Sequence, residues 1–207
     1  MWLYEKRLQY PVKITKTCPT TARLIISQYG GPDGELSASM RYLSQRYTMP
    51  IKEVGGLLTD IGTEELAHME IICAMVYQLT KNLTLEQAKE AGFDAYYVDH
   101  TTALWPQAAS ALPFTAIEFQ SKGDAITDLT ENLAAEQKAR TVYDNLLRMI
   151  PDPEIREPLK FLRSREIVHF QRFGEALEKT KDQLDCKNFY YFNPEFDKDL
   201  FNKTKKI

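Results

Sequence analysis

The sequence predicts an all-α protein, and the prediction rests on the hydrophobic pattern and on the spacing of the turns. Apolar residues recur with helical periodicity over about 20–47, 52–81, 124–149 and 154–182. Short turns join the first of these segments to the second and the third to the fourth, whereas the remaining connection, 82–123, is long. We therefore expect a four-helix bundle with a long crossover between the second and third helices.

Helix-breaking residues set the limits of the individual elements. In the first helix, Gly30 and Gly31 interrupt the pattern, and Pro32 suits the first position of a resumed helix. Prolines also mark the two tight turns, at 48–50 and 151–153. The crossover holds one short amphipathic piece, 83–90, and a segment rich in Tyr, Trp and Pro. Two hairpins joined by one long crossover is the connectivity of ferritin-like bundles.

The two ends of the chain do not follow the helical pattern. Residues 1–17 predict an extended segment, since Pro11 disfavours a helix there. With that segment, residues 1–182 are expected to form one domain, followed by a tail at 183–207. Six aromatic residues between positions 186 and 201 are too many to leave in solvent. We expect the tail to pack across a subunit boundary or onto another protein. The alternative is that it folds back onto its own bundle.

Composition excludes several classes of protein. The chain has 207 residues, 43% of them hydrophobic and 27% charged, with a formal net charge of −3, as in one ordinary globular domain. It contains no apolar run of about 18 residues, so we expect no membrane span. The charge balance gives no reason to expect nucleic acid as a partner. Early charges argue against a signal peptide, and three distant cysteines argue against a disulfide framework, so synthesis in a reducing cytoplasm is expected.

Two of the three histidines lie in Glu-x-x-His units. These units are Glu65 with His68 and Glu166 with His169. Residues three apart share a helix face, so each unit presents a carboxylate and an imidazole to one side. Glu35 and Glu136 precede the units by 30 residues each. Thirty residues lead from a position on the first helix of a hairpin, through the turn, to the same level on the second helix. One layer of the bundle is therefore expected to receive four carboxylates and two imidazoles.

All six residues lie on the predicted apolar faces, where no Lys or Arg occurs. A buried carboxylate without a partner costs several kcal/mol or is neutralised by a pKa shift. Two divalent cations balance four carboxylates. One Glu from each of two helices, with Glu-x-x-His from the other two, is the ligand set of ferritin-like di-iron and di-manganese proteins. The pattern therefore predicts a dinuclear site for iron or manganese, and the ligands alone leave both metals open.

Four further side chains have two interpretations each. His100 lies in the crossover, where a surface or loop-packing role is favoured over a third imidazole ligand. Tyr42 follows Glu35 by two helical turns, so its hydroxyl either reaches the ligand layer or is simply satisfied in the core. Glu64 and Asp60 either orient an imidazole from outside the site or are solvated charges.

Several segments resemble the manganese catalase family. The matching stretches are 30–42, 57–68, 134–140 and 163–173. The opening residues 2–11 and the short length are similar to the spore-coat branch of that family, the CotJC type. The resemblance covers about 1–180. It implies an oxidoreductase that disproportionates hydrogen peroxide with two manganese ions per chain.

The resemblance also implies roles for individual residues. Glu35 and His68 would bind one manganese, Glu136 and His169 the other, and Glu65 would bridge them. Glu166 would stay just outside direct coordination and handle protons, and Tyr42 would hydrogen-bond the Glu35 carboxylate. Some family members carry a basic residue directly before the third Glu, where this chain has Ala135.

The same resemblance implies a homo-oligomer, commonly a hexamer, assembled with other proteins in the spore coat. Two other functions stay open at this point. One is a di-iron peroxidase or iron-storage protein of the same architecture, although the chain lacks the four-cysteine unit of a rubrerythrin-like electron-entry module. The other is a mainly structural coat protein with a weak or vestigial metal site.

Overall fold

The fold is an all-α, ferritin-like four-helix bundle, as the sequence predicts. The computed structural model describes residues 7–184. The helices of this part are α1 (Pro19–Ile25), α2 (Ser27–Gly30), α3 (Glu35–Gln45), α4 (Lys52–Thr80), α5 (Leu85–Glu90), α6 (Asp94–His100), α7 (Ala125–Met149) and α8 (Pro153–Leu184). The bundle consists of α3 packed on α4 and α7 packed on α8. No helix within 7–184 is long and apolar enough to cross a membrane.

The first predicted helix, 20–47, is broken at the glycines, as the interruption of its pattern allowed. It is divided into α1, α2 and α3, and a 3₁₀ turn at Arg46–Thr48 follows. Pro32 lies in the turn before α3, and Gly34 is the N-cap residue of α3. The glycines allow close packing here: a Cβ on Gly30 would lie 2.2 Å from the backbone nitrogen of Gln107 in the crossover. The break makes Glu35 the first residue of α3, where the helix dipole favours an anion.

The second hairpin begins at well-capped helix ends. Asp124 Oδ1 accepts the backbone N–H of Thr127 at 2.8 Å and caps α7. The buried carboxylate of Asp128 accepts the backbone N–H groups of Lys122 and Gly123 at 2.8 and 3.0 Å, which fixes the end of the crossover. Pro153 opens α8 at the position where its missing N–H costs nothing.

Two hydrophobic clusters fill the bundle on either side of the predicted ligand layer. One contains Ile72 and Leu162, and the other contains Ile61 and Phe173. On α4 and on α8 the Glu-x-x-His units therefore lie between one cluster and the other. The apolar faces predicted for these helices are confirmed, and the polar layer is enclosed by the core.

The crossover is more ordered than the sequence indicates. Besides α5, it contains α6 and a 3₁₀ turn at Ala116–Phe119, both of which sequence reasoning missed. Arg41 of α3 holds the 3₁₀ turn against the bundle, because its guanidinium donates a hydrogen bond to the carbonyl of Glu118 at 2.7 Å. His100 stacks on Trp105 with ring centroids 4.4 Å apart, which confirms its loop-packing role.

Candidate metal centre

The six residues predicted as one layer converge in the middle of the bundle. Each of them is at most 2% exposed to solvent. Their ligand atoms form two groups, in each of which all atoms lie within 4.8 Å of one another. The groups are Glu35, Glu65, His68 and Glu166, and Glu65, Glu136, Glu166 and His169. Glu65 and Glu166 belong to both groups, so the two halves of the site share two carboxylates.

The imidazoles present the same nitrogen to the centre. His68 Nδ1 lies 2.8 Å from Glu65 Oε2, 3.7 Å from Glu35 Oε2 and 3.9 Å from Glu166 Oε1. His169 Nδ1 lies 2.8 Å from Glu65 Oε1 and 3.6 Å from Glu136 Oε2. The two carboxylate oxygens of Glu65 thus face one imidazole each. This is the placement that a bridging carboxylate needs.

Two buried tyrosines hold the outer carboxylates, and the predicted partner of Tyr42 is wrong. The Tyr42 hydroxyl donates to Glu136 Oε1 at 2.5 Å, whereas the hydroxyl that donates to Glu35 belongs to Tyr143. The bonds cross because α3 and α7 run antiparallel: residue 42 is level with 136, and residue 35 is level with 143. Reasoning along one helix found a tyrosine on the correct face but could not show which neighbouring carboxylate it meets.

A sequence regularity could have identified Tyr143. Glu136, Tyr143, Glu166 and His169 follow Glu35, Tyr42, Glu65 and His68 by 101 residues in every case. The second hairpin therefore repeats the functional positions of the first. Each half of the site takes its tyrosine from the other hairpin.

The donor set fits a pair of cations. Within 7–184, four atoms facing the centre have no hydrogen-bond partner: Glu65 Oε1, Glu136 Oε2, Glu166 Oε1 and His169 Nδ1. Glu65 Oε1 and His169 Nδ1 lie 2.8 Å apart without the geometry of a hydrogen bond. Buried polar atoms left this way cost free energy unless a cation binds them. Carboxylate oxygens with imidazole nitrogen suit iron or manganese.

Burial raises the pKa of three of the carboxyl groups in the absence of metal. It raises the pKa of Glu35 to about 8, with the charge of Glu65 adding to the effect. The pKa of Glu136 is raised by burial, and that of Glu166 is raised well above its ordinary value by burial and by Glu35, Glu65 and Glu136. For Glu65, burial is outweighed by the charges of His169 and His68, so its pKa is lowered.

We expect the metal-free protein to lose stability as the pH rises from 4.5 to about 8, the range over which the pKa of Glu35 is raised. In this range the folded state keeps a proton that the unfolded state releases, so ionisation favours unfolding. The raised pKa values of His68 and His169, where nearby carboxylates outweigh burial, act in the same direction above pH 6.5. Binding of a divalent metal displaces these protons, so its stabilising effect should grow with pH.

The measurement is the Tm of chelator-treated and manganese-loaded protein at several pH values between 5 and 8. The difference in Tm should widen with pH, and Glu35→Gln should reduce the widening. A constant difference would contradict the protonated state of the metal-free site.

A narrow cavity of about 10 Å³ reaches the site between α3 and α7. Its inner end is lined by Tyr42, Glu136 and Glu166. Four small residues line its walls, namely Gly34, Ala38, Ala135 and Ala139. The remaining lining residues are Pro32 and Asp33 of the turn before α3 and Arg41 of α3. This volume admits about one water-sized molecule.

The family model described as "Manganese containing catalase" matches residues 1–204 of the chain. Protein CotJC of Bacillus subtilis is 55% identical over 190 residues, which cover 92% of this chain and 100% of that protein. A probable manganese catalase of Clostridium acetobutylicum is 37% identical over 191 residues, which cover 91% of this chain and 85% of that protein.

The fold is also similar to that of a solved structure. KatB, a manganese catalase from Anabaena PCC7120, superposes with a TM-score of 0.80 and 31% sequence identity. The superposition covers 86% of this chain and 80% of KatB.

Proposed function

Because this chain belongs to the manganese catalase family, we propose that its buried cluster binds two manganese ions and disproportionates hydrogen peroxide. The observation that carries the proposal is the pair of ligand groups that share Glu65 and Glu166 inside a closed apolar bundle. Glu35 and His68 would hold one ion, Glu136 and His169 the other, with Glu65 between them. Iron is the alternative metal, since the same donor types suit it.

The reaction converts two molecules of hydrogen peroxide into two of water and one of oxygen. When bound, two manganese ions supply two redox equivalents, one each, which matches a substrate that gains or loses two electrons. The protein fixes the ligands for this change: Tyr42 and Tyr143 each donate a hydrogen bond that keeps an outer carboxylate in place. The two tyrosines therefore have a positioning role.

Glu166 is the group best suited to handle the protons. Its carboxyl group is buried, lines the inner end of the cavity and lies next to both ligand groups. Burial and three nearby carboxylates raise its pKa in the metal-free protein. A buried carboxyl group at this position could give a proton to one peroxide and recover a proton from the next. We place Glu166 as the general acid and base of the reaction.

The size of the cavity favours a small substrate. Hydrogen peroxide is only slightly larger than water, whereas an organic reductant does not fit a cavity of about 10 Å³. This property favours disproportionation over a peroxidase reaction that needs an external organic donor.

Narrowing the cavity should slow peroxide entry without affecting metal binding. In Ala38→Leu, a larger side chain enters the cavity wall from a partly exposed position, so we expect kcat/KM for peroxide to fall about tenfold, which corresponds to about 1.4 kcal/mol of barrier. Manganese content should stay unchanged. Ala134→Leu is the matched control, since Ala134 lies on the exposed face of α7. Equal kcat/KM values for both variants would show that peroxide uses another route.

We further propose that the protein is a homo-oligomeric component of the spore coat. The support is the sequence resemblance to the spore-coat branch and the 55% identity with CotJC over the full length of that protein. The predicted packing of the tail, 183–207, across a subunit boundary or onto a coat protein belongs to this proposal. Residues 183 and 184 are the end of α8, and 185–207 lie outside the described residues. A purely structural role is the competing function, and the completeness of the ligand set argues against it.

Oxygen yield separates these functions. With peroxide added to purified manganese-loaded protein and no reductant present, we expect one oxygen molecule for every two peroxides consumed. Peroxide consumption only when a reductant is supplied would indicate a peroxidase. Absence of consumption in protein with full metal content would favour the structural role.

A further inference from the structure

The outer nitrogens of both imidazoles face a single carboxylate, that of Glu64. His169 Nε2 lies 3.0 Å from Glu64 Oε2, and His68 Nε2 lies 3.6 Å from Glu64 Oε1. The two rings are nearly parallel, with centroids 5.5 Å apart and planes inclined by 20°. One carboxylate therefore spans the outer edges of two stacked imidazoles whose Nδ1 atoms face the proposed metal positions.

Glu64 is held in this place from two directions. Arg165 of α8 binds it through both oxygens, with Nε 2.8 Å from Oε1 and Nη2 3.1 Å from Oε2. Gln9 of the N-terminal segment donates to Oε1 at 2.8 Å. A bidentate guanidinium pair fixes the plane of a carboxylate as well as its position. Arg165 follows Glu64 by 101 residues, so the repeat that duplicates the ligands here supplies an oppositely charged pair.

Asp60 lies one turn before Glu64 on α4 and serves as a comparison, because its carboxylate is on the surface. It is 73% exposed, and its partner is Arg172 at 3.7 Å. It therefore lacks the contact with the imidazoles that Glu64 has. Of the two acidic residues considered from the sequence, the structure selects Glu64.

We propose that Glu64 is a positioning residue shared by both halves of the site. It accepts the Nε2–H group of His169 at 3.0 Å, and its other oxygen lies 3.6 Å from His68 Nε2, which has no hydrogen-bond partner within 7–184. From this position its charge favours the tautomer of both rings that directs Nδ1 toward the metals. A metal-binding histidine commonly donates its second N–H to a carboxylate, which fixes the tautomer and the ring orientation. The presence of metals rests on the proposed function. The shorter distance to His169 assigns the stronger dependence to the half that contains Glu136.

Zinc binding to chelator-treated protein tests this assignment without using turnover. We expect Glu64→Ala to weaken binding roughly 10–100-fold, the usual effect of losing such a partner. The half with His169 should be weakened more. Glu64→Gln should recover part of the loss, since its amide oxygen still accepts a hydrogen bond. Asp60→Ala should bind like the wild type. Wild-type affinity at both positions in Glu64→Ala, in protein with native helical content, would overturn the proposal.

NMR of the imidazole nitrogens adds a signature that altered packing alone would not give. The chain has three histidines, so His100→Ala and His68→Ala identify two of the signals and leave that of His169. In the wild type, with or without zinc, the Nε2–H proton of His169 should exchange slowly with solvent, and in Glu64→Ala it should exchange fast. An unchanged exchange rate would overturn the proposal. Failure of the wild type to bind zinc would instead refute the proposed metal site, and the metal-free spectra would still decide the role of Glu64.

Discussion

Replacing His68 or His169 with alanine should remove metal and activity together. Each imidazole is fully enclosed and directs Nδ1 at the shared carboxylate Glu65, so its loss opens one half of the site. We expect close to one manganese ion per chain to be lost and peroxide turnover to fall roughly 100-fold or more, since removing a direct ligand exceeds the effect of removing an outer partner. Metal analysis and oxygen evolution measure the two effects.

The chain provides its own control for these variants. His100→Ala removes the third histidine, which stacks on Trp105 in the crossover and lies outside both ligand groups. It should keep its manganese and its activity. The far-ultraviolet circular dichroism of all three variants should stay close to that of the wild type. Full metal content and full oxygen evolution in either His68→Ala or His169→Ala would refute the ligand assignment.

Glu166→Gln should separate metal binding from catalysis. The amide keeps the size of the side chain but cannot hold and release a proton as the buried carboxyl group does. We expect about two manganese ions per chain and a loss of turnover of about 10²–10⁴-fold, the usual contribution of a general acid or base.

The comparison variant is Glu65→Gln, because Glu65 occupies the corresponding position of the other hairpin and faces both imidazoles. It should lose manganese, whereas Glu166→Gln should not. Loss of one ion in Glu166→Gln would show that Glu166 is a direct ligand. Its position in both ligand groups is compatible with that outcome.

The sequence was sufficient for the composition of the ligand layer. Helical spacing determines which residues share a face, and the two intervals of 30 residues determine their level in each hairpin. The six predicted residues accordingly meet in the structure. The cost of burying four carboxylates on apolar faces then requires a compensating charge, whatever the fold surrounding them.

Contacts between hairpins were beyond the reach of that reasoning. Tyr42 meets Glu136 and Tyr143 meets Glu35 because α3 and α7 pack antiparallel, and periodicity within one helix carries no information about its neighbour. The sequence showed that glycines interrupt the first helix, but it could not show what they meet, since Gly30 packs against the crossover backbone far along the chain. The role of Glu64 depends on Arg165 and Gln9, which come from two other parts of the molecule.

Anomalous X-ray scattering from crystals of manganese-loaded protein, recorded on both sides of the manganese absorption edge, tests the dinuclear site most directly. We expect two peaks per chain that disappear below the edge, one beside Glu35 and His68 and one beside Glu136 and His169, with Glu65 between them. A single peak, or peaks away from these side chains, would contradict the proposed centre.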